Sequence, residues 1–202
     1  KNDLWGEEHE SPDPVIHFYE DFLKEYNPTK KMEMGVFYTP LPVVRFIVRG
    51  IDSILKNEFG LTKGLADDEK IIRDKKEFNQ KGKEVVVKEE FSKVQILDIA
   101  TGTGTFLNEV IQYIYKDFKG QEGRWSSYVQ DNLIQRLHGF ELMMASYTIA
   151  HLKLGMTLQE TGVRDLKGRL GVYLTNTLDE ASDYSNQRTL FGFLDSIAEE
   201  SK

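Results

Sequence analysis

Apolar residues recur at helical spacing in the first part of the chain. Asp13-Pro14 suits a helix start, because aspartate can cap and proline fits the first helical position. One apolar face then runs to about Tyr26, and Asn27-Pro28 ends this predicted helix. Pro42 begins a second predicted helix. Its predicted buried stripe consists of Val43, Phe46/Ile47, Gly50/Ile51 and Ile54.

Residues 61–93 are dense in mixed charge, and only Val85-Val86-Val87 resembles a strand there. We predict a solvated excursion that carries one short strand or hairpin. The tail from Asp179 onward is polar, with a short apolar patch that predicts a helix.

Strand and helix patterns alternate between these two segments. Three buried strands are predicted at 94–100, 137–142 and 170–175, with a polar loop at 120–127. The helix after the first strand has an apolar face formed by Phe106/Leu107, Val110/Ile111, Ile114 and Phe118. The helix after the second strand carries Met143, Tyr147, Ala150, Leu154 and Leu158 on one side. This order predicts an α/β fold with a parallel, doubly wound sheet.

Composition adds little beyond the class of protein. The 202 residues suffice for one substantial domain, and 40% hydrophobic with 29% charged residues is typical of soluble domains. No apolar run suits a membrane span, and the start lacks a signal peptide. The absence of cysteine fits a reducing cytoplasm, and the four histidines show no metal-ligand spacing. Because the sequence opens on Lys1, we expect a fragment or a processed product.

The most informative segment is the Gly-X-Gly turn after the first predicted strand. Gly102 and Gly104 let backbone approach a ligand and point free N–H groups at it, although a tight turn without a ligand has the same pattern. A dinucleotide site needs a third small residue where Leu107 stands. Asp98 would repel a pyrophosphate but suits a cationic amino group, as in the methionine part of S-adenosylmethionine.

Two further polar residues end the next strands. Glu141 suits a pair of ribose hydroxyls, although a solvated or capping glutamate is the alternative. Asn176 suits an adenine amino group, with Leu178 packed on the ring, although asparagine is also a common turn residue. Three such residues at successive strand ends favour one binding crevice.

These segments resemble the γ class of amino-methyltransferases from restriction-modification systems. Asp98–Leu107 resembles that family's Asp-Pro-Ala-Cys-Gly-Ser-Gly-X-Phe-Leu element, and Gly35–Pro40 resembles its N-terminal Tyr-Thr-Pro motif. Gly139–Leu142 resembles the ribose-binding element, and Asn176-Thr177-Leu178 the element that usually contains Gly-Asp-Thr-Leu. The strings 13–20 and 138–155 resemble type ISP enzymes, which join nuclease, translocase, methyltransferase and target recognition in one chain. The resemblance covers about residues 13–180.

The resemblance implies a donor site for S-adenosylmethionine. Its methionine end would be lined by Tyr38, Thr39 and Pro40, with Thr39 at the carboxylate and Asp98 at the amino group. The backbone cradle would consist of Ala100, Thr101, Gly102, Thr103, Gly104 and Thr105, closed by Phe106. The ribose would bind Glu141, and the adenine would contact Leu142, Asn176 and Leu178. Ile99 replaces a proline of the family, and Asn176 replaces an aspartate, which loses a charge.

The resemblance also implies a catalytic Asn/Asp-Pro-Pro-Tyr/Phe loop, and this sequence has no Pro-Pro pair. We therefore expect the donor-binding part of a site-specific adenine-N6 DNA methyltransferase, ending before its catalytic motif and inactive alone. Residues 1–34 would form a helical segment and linker, and 35–202 the binding part. Double-stranded DNA would be reached through the parent protein, because a net charge of −7 disfavours a phosphate-binding surface here.

Other functions stay open at this point. A methyltransferase for RNA, protein or a small molecule would have the same donor site. A nicotinamide or flavin oxidoreductase is disfavoured by Leu107 and Asp98. A non-catalytic interaction module would bind no donor at all.

Overall fold

The computed structural model describes residues 39–78 and 83–177. The chain divides into two units, Lys1–Thr39 and Pro40–Lys202, and all described helices and strands lie in the second. The first predicted helix, the polar tail, Tyr38 and Leu178 lie outside the described residues. The predicted domain boundary at residue 35 stays a prediction.

Helix α1, Leu41–Asn57, begins where Pro40 and Pro42 favour it, but its buried face differs from the predicted one. The structure buries Val44, Val48 and Asp52, whereas the large apolar side chains of the predicted stripe are exposed, with Phe46 71% accessible. Apolar residues lie on both sides of this helix, so the pattern was consistent with either face. Packing against a neighbouring helix selects the row of Val44, Val48 and Asp52, which the sequence pattern did not favour.

Asp52 is buried on that row because it has three partners. Its carboxylate accepts hydrogen bonds from Leu65 N at 2.9 Å and Tyr113 Oη at 2.9 Å, and pairs with Lys56 Nζ at 2.7 Å. Burial raises the pKa of Asp52, but these partners outweigh it and hold the pKa below its usual value. A polar residue at a core position is therefore satisfied rather than strained.

The charged stretch contains the predicted hairpin, with longer strands than expected. Strands β1, Lys70–Phe78, and β2, Glu84–Ser92, pair antiparallel with Ile72 opposite Glu90. The beginning of the stretch is not solvated as predicted, because Leu61, Leu65 and Ala66 are buried around a 3-10 turn at Gly64–Ala66.

A second, parallel sheet carries the rest of the fold. Its strands β3, Ile96–Asp98, β4, Leu137–Glu141, and β5, Gly171–Leu174, lie in that order and are shorter than predicted. Helices α2, Thr105–Tyr115, and α5, Met144–Glu160, form the two crossovers. The prediction of a mixed α/β fold with a parallel sheet is confirmed.

The helices and the sheet enclose one apolar core. It contains the buried faces of α1, α2 and α5 together with residues of the strands, among them Val44, Val48, Leu107, Ile111, Leu137, Leu154 and Val172. Beyond the core, Leu97 and Ile99 are 51% and 61% exposed. Within the part of the chain that the structure describes, no helix is both long and apolar enough to cross a membrane.

The predicted polar loop at 120–127 is helical instead. Helix α3, Glu122–Tyr128, continues through a π-helical turn, Val129–Leu133, into the short helix α4, Ile134–Arg136. Trp125 explains the difference, because it is fully buried and donates to Thr161 Oγ1 at 3.0 Å. Its ring lies 5.3 Å from those of Tyr115 and Phe118.

Arg136 ends this helical segment with a fully buried guanidinium group. It donates to Leu65 O at 2.6 Å, to Val94 O at 3.5 Å and to the hydroxyl of Tyr128. Tyr128 in turn donates to Ala66 O at 3.0 Å. These bonds join the helical segment to the turn after α1 and to the chain just before β3.

We predict that Arg136→Met destabilises the protein, because it leaves the buried carbonyls of Leu65 and Val94 without these donors. The free energy of unfolding should fall by about 2–4 kcal/mol, at about 1–3 kcal/mol for each orphaned group. Urea unfolding with an unchanged m value measures this. Arg124→Met, at an exposed position, should change it by less than about 0.5 kcal/mol. Equal midpoints for both variants would contradict the assigned role.

Candidate functional site

Polar residues from three strands meet at one edge of the parallel sheet. Asp98 is the last residue of β3, Glu141 is the last residue of β4, and Asn176 follows β5 by two residues. Parallel strands end at the same edge, so the three residues share it. A hydrogen bond of 3.3 Å from Thr177 Oγ1 to Ile99 O joins the two outer strand ends.

The glycine turn between β3 and α2 lies at this edge. Gly102 and Gly104 have φ angles of 55° and 80°, in the left-handed region that favours glycine. Thr101 N donates to Phe140 O at 3.0 Å, and Gly104 N donates to Thr101 O at 2.9 Å. The turn is therefore held to β4 by backbone, with its conformation set by glycine.

Glu141 braces this turn with its side chain. Its Oε2 accepts a hydrogen bond from Gly102 N at 2.7 Å, and its Oε1 accepts one from Met143 N at 2.7 Å. The sequence predicts a ligand role for Glu141 but not this contact, since nothing local links residues 39 positions apart. A carboxylate has about four acceptor sites, so two bonds leave capacity for further donors.

Only one of the two carboxylate oxygens of Asp98 accepts a hydrogen bond from the described residues. Its Oδ1 accepts Ala100 N at 3.2 Å, whereas Oδ2 is buried and has no hydrogen-bond partner among the described residues. Burial raises the pKa of Asp98, the hydrogen bond from Ala100 opposes this in part, and the nearby charge of Glu141 adds a smaller increase. A cationic hydrogen-bond donor at Oδ2 would offset the effects of burial and of the Glu141 charge on this pKa.

Thr103, between the two glycines, shows the same feature. It is 2% exposed, and its Oγ1 has no partner in residues 39–78 and 83–177. Leaving a buried polar group unpaired costs about 1–3 kcal/mol, so two such atoms at one turn indicate a binding site for a polar group.

The structure places the other predicted residues as follows. Thr39 and Pro40 are exposed immediately before α1, and Ala100 is exposed beside Asp98. Phe106 is half-buried against the core, and Leu142 is 65% exposed after β4. Half-buried Thr105 is the first residue of α2, whose N-cap is Gly104.

Gly139 also shapes the site, although the sequence pattern predicts no individual role for it there. A Cβ atom on it would lie 2.4 Å from Thr101 Oγ1 and 2.9 Å from Leu107 Cδ1. The side chain of Thr101 is itself held by a 3.0 Å hydrogen bond to Asp98 O. A glycine within a predicted strand was the available signal, since it often marks close backbone approach.

This chain is similar to a DNA-methylase family and to restriction-modification enzymes. A model of the family described as N-6 DNA Methylase matches residues 10–61. Thirteen chains of solved structures match, whereas no curated protein matches by sequence. A DrdV–DNA complex is 28% identical with a TM-score of 0.58, and it covers 93% of this chain. LlaBIII, an ATP-dependent type ISP restriction-modification enzyme bound to DNA, is 26% identical over 93%, with a TM-score of 0.59.

A nuclease-deletion mutant of the type ISP enzyme LlaGI, in complex with a DNA substrate mimic, is 24% identical over 93% and shows the fold alone, with a TM-score of 0.57. This chain spans 14%, 12% and 10% of the DrdV, LlaGI and LlaBIII chains. The matches confirm the resemblance to the N6-adenine methyltransferase part of type ISP restriction-modification enzymes.

We predict that Gly139→Ala disturbs the glycine turn, because the new methyl group overlaps Thr101. The unfolding free energy should fall by about 1–3 kcal/mol, as for other overpacked sites. Gly155→Ala is the matched control, since a Cβ there meets nothing within 4 Å. It lies inside α5, so it should stabilise by about 0.5–1 kcal/mol. Thermal or urea unfolding compares them, and a neutral Gly139→Ala would contradict the packing.

Proposed function

We propose that this chain is the S-adenosylmethionine-binding part of a site-specific adenine-N6 DNA methyltransferase within a restriction-modification enzyme. One observation carries the proposal: the buried Oδ2 of Asp98, which has no partner among the described residues, lies at the same sheet edge as the glycine turn and Glu141. The proposed function requires the doubly wound methyltransferase fold. The similarity to type ISP enzymes supports the choice of DNA as the substrate.

Each part of the donor has a matching group in this chain. The ammonium of the methionine part would bind Asp98, and the free N–H groups of the turn would face its polar atoms. Glu141 would accept the ribose hydroxyls with the lone pairs that Gly102 and Met143 leave open. The adenine would lie against Leu142, Leu178 and Asn176. When bound, this donor supplies a methyl group on a positively charged sulfur.

The methionine end of the donor would be lined by the segment before α1. Tyr38, Thr39 and Pro40 carry this role by resemblance, and Ala100 to Phe106 would form the cradle and its closure. The donor would also supply a partner for the Thr103 hydroxyl, which has none in the described part of the chain, because the donor carries both carboxylate acceptors and hydroxyls. The proposed boundaries are 1–34 for the helical segment and linker, and 35–202 for the binding part.

A dinucleotide cofactor fits these residues poorly. Glu141 is close enough for its charge to raise the pKa of Asp98. Two carboxylates at the turn would repel a pyrophosphate, whereas they attract an ammonium group. Methyltransferases acting on other substrates share the donor chemistry, and only the matches to DNA-bound enzymes favour DNA over these.

The protein partners and location follow from the parent enzyme. Double-stranded DNA would be held by the rest of that polypeptide, because this chain has a net charge of −7 and a phosphate-binding surface needs clustered lysine and arginine. A restriction-modification enzyme acts on DNA in the cytoplasm, and we place the protein there.

Titration with S-adenosylmethionine tests the proposal. Asp98 binds the cationic amino group only when ionised, so affinity should weaken as pH falls from neutral through the raised pKa of Asp98. Asp98→Asn should lower affinity by about ten- to a hundredfold at neutral pH and abolish that pH dependence. Isothermal titration calorimetry across this range measures both.

Asp67→Asn is a matched control, because Asp67 Oδ1 accepts Glu69 N at 2.9 Å in a turn like that of Asp98 but away from the proposed site. It should leave donor affinity unchanged. Absence of donor binding by the unaltered chain, or preferential binding of NADH, would rule out the proposed function.

We also predict that this chain binds the donor without methylating DNA. Transfer needs groups that hold the flipped adenine in line with the methyl group, and the family's Pro-Pro loop has no counterpart among its five prolines. Incubation with tritium-labelled donor and mixed genomic DNA should give background counts, with donor binding measured on the same sample as the control. Labelled N6-methyladenine would show that the catalytic groups are present.

A further inference from the structure

Helices α1 and α2 run in the same direction, side by side. Arg45 of α1 contacts Glu109 of α2, and Asp52, two turns further along α1, contacts Tyr113, one turn further along α2. Because both contacts advance along the chain together, the two helices are parallel and their N-termini lie at the same end. Pro40 therefore lies at the end of the pair where Gly104 begins α2.

Among the described residues, Arg45 and Glu109 form the ion pair between α1 and α2 that lies nearest the N-termini of the two helices. Arg45 Nε donates to Glu109 Oε2 at 3.5 Å, with side-chain exposures of 34% and 5%. Burying a carboxylate costs free energy unless it is paired. Replacing a buried ion pair by well-packed apolar residues often leaves a protein at least as stable. Stability alone therefore does not explain an acid at this position.

This ion pair adds a directional contact between the two helices. Val44 and Val48 are buried in the apolar core that also contains residues of α2, and apolar contact is nondirectional and tolerates sliding of one helix along the other. A hydrogen-bonded ion pair fixes one register. Glu109 lies in the second turn of α2, five residues after Gly104, so the register is fixed next to the glycine turn.

We propose that Arg45 and Glu109 are positioning residues for the methionine end of the donor. The pair sets the start of α1, and with it Pro40, against the glycine turn that opens α2. This inference rests on the proposed function, because it needs S-adenosylmethionine as the ligand. It assigns a binding role to two residues that touch no part of the donor.

Two ligands separate positioning from general stability. 5′-Methylthioadenosine carries the adenosine but lacks the amino and carboxylate groups of the methionine part. Glu109→Gln removes the charge at nearly constant shape, and Arg45→Met removes the partner. Each should weaken S-adenosylmethionine binding by about three- to tenfold, the scale of one imperfect hydrogen bond. Methylthioadenosine affinity should stay within about twofold.

Tyr113→Phe is the matched control, since it removes a 2.9 Å hydrogen bond between the same two helices further from the turn. It should lower the melting temperature without changing the ratio of the two affinities. Arg45→Lys, which keeps the charge, should restore part of the loss seen in Arg45→Met.

Calorimetry on the 202-residue chain gives distinct outcomes. Selective loss of S-adenosylmethionine binding in Glu109→Gln and Arg45→Met supports the inference. Equal loss for both ligands, no loss, or the same change in Tyr113→Phe would overturn it while leaving the proposed function in place. Failure of the unaltered chain to bind either ligand would overturn both.

Discussion

The hydrogen bond from Gly102 N to the carboxylate of Glu141 joins the ends of two neighbouring strands. It ties the turn after β3 to the last residue of β4, alongside the backbone bond from Thr101 N to Phe140 O. Both bonds require β3 and β4 to be paired in the observed register, in which Asp98 lies opposite Gly139. The shape of the turn, the position of Asp98 and the start of α2 all depend on this alignment.

Polar groups inside the core hold the surrounding elements in place. Arg136 and Asp52 both reach the turn that follows α1, through Leu65 O and Leu65 N. Each of these charges is buried with several hydrogen bonds, which is the condition under which burial of a charge is tolerated. The apolar core fills space, and these bonds decide which way the elements face.

The candidate site has two buried polar atoms at one turn that lack hydrogen-bond partners among the described residues. Arg136 and Asp52 direct their hydrogen bonds to protein atoms, whereas Asp98 Oδ2 and Thr103 Oγ1 have none within the described ranges. Buried polar groups without partners are uncommon in folded proteins and concentrate where a ligand completes them. Arg136 Nε is also buried without a partner among the described residues, so what singles out this edge of the sheet is that two such atoms lie at one turn.

Local pattern determined the parallel strands, the Gly-X-Gly turn, the hairpin in the charged stretch and the polar strand ends, because each depends on neighbouring residues alone. Three features depended on residues far apart in the chain. The prediction of the buried face of α1 was wrong, since Val44 and Val48 are buried while the richer stripe with Phe46 is exposed. The prediction of a polar loop at 120–127 was wrong, because burial of Trp125 against Thr161 makes this polar segment helical. The brace from Glu141 to Gly102 spans 39 residues, and only the paired strands bring these two groups together.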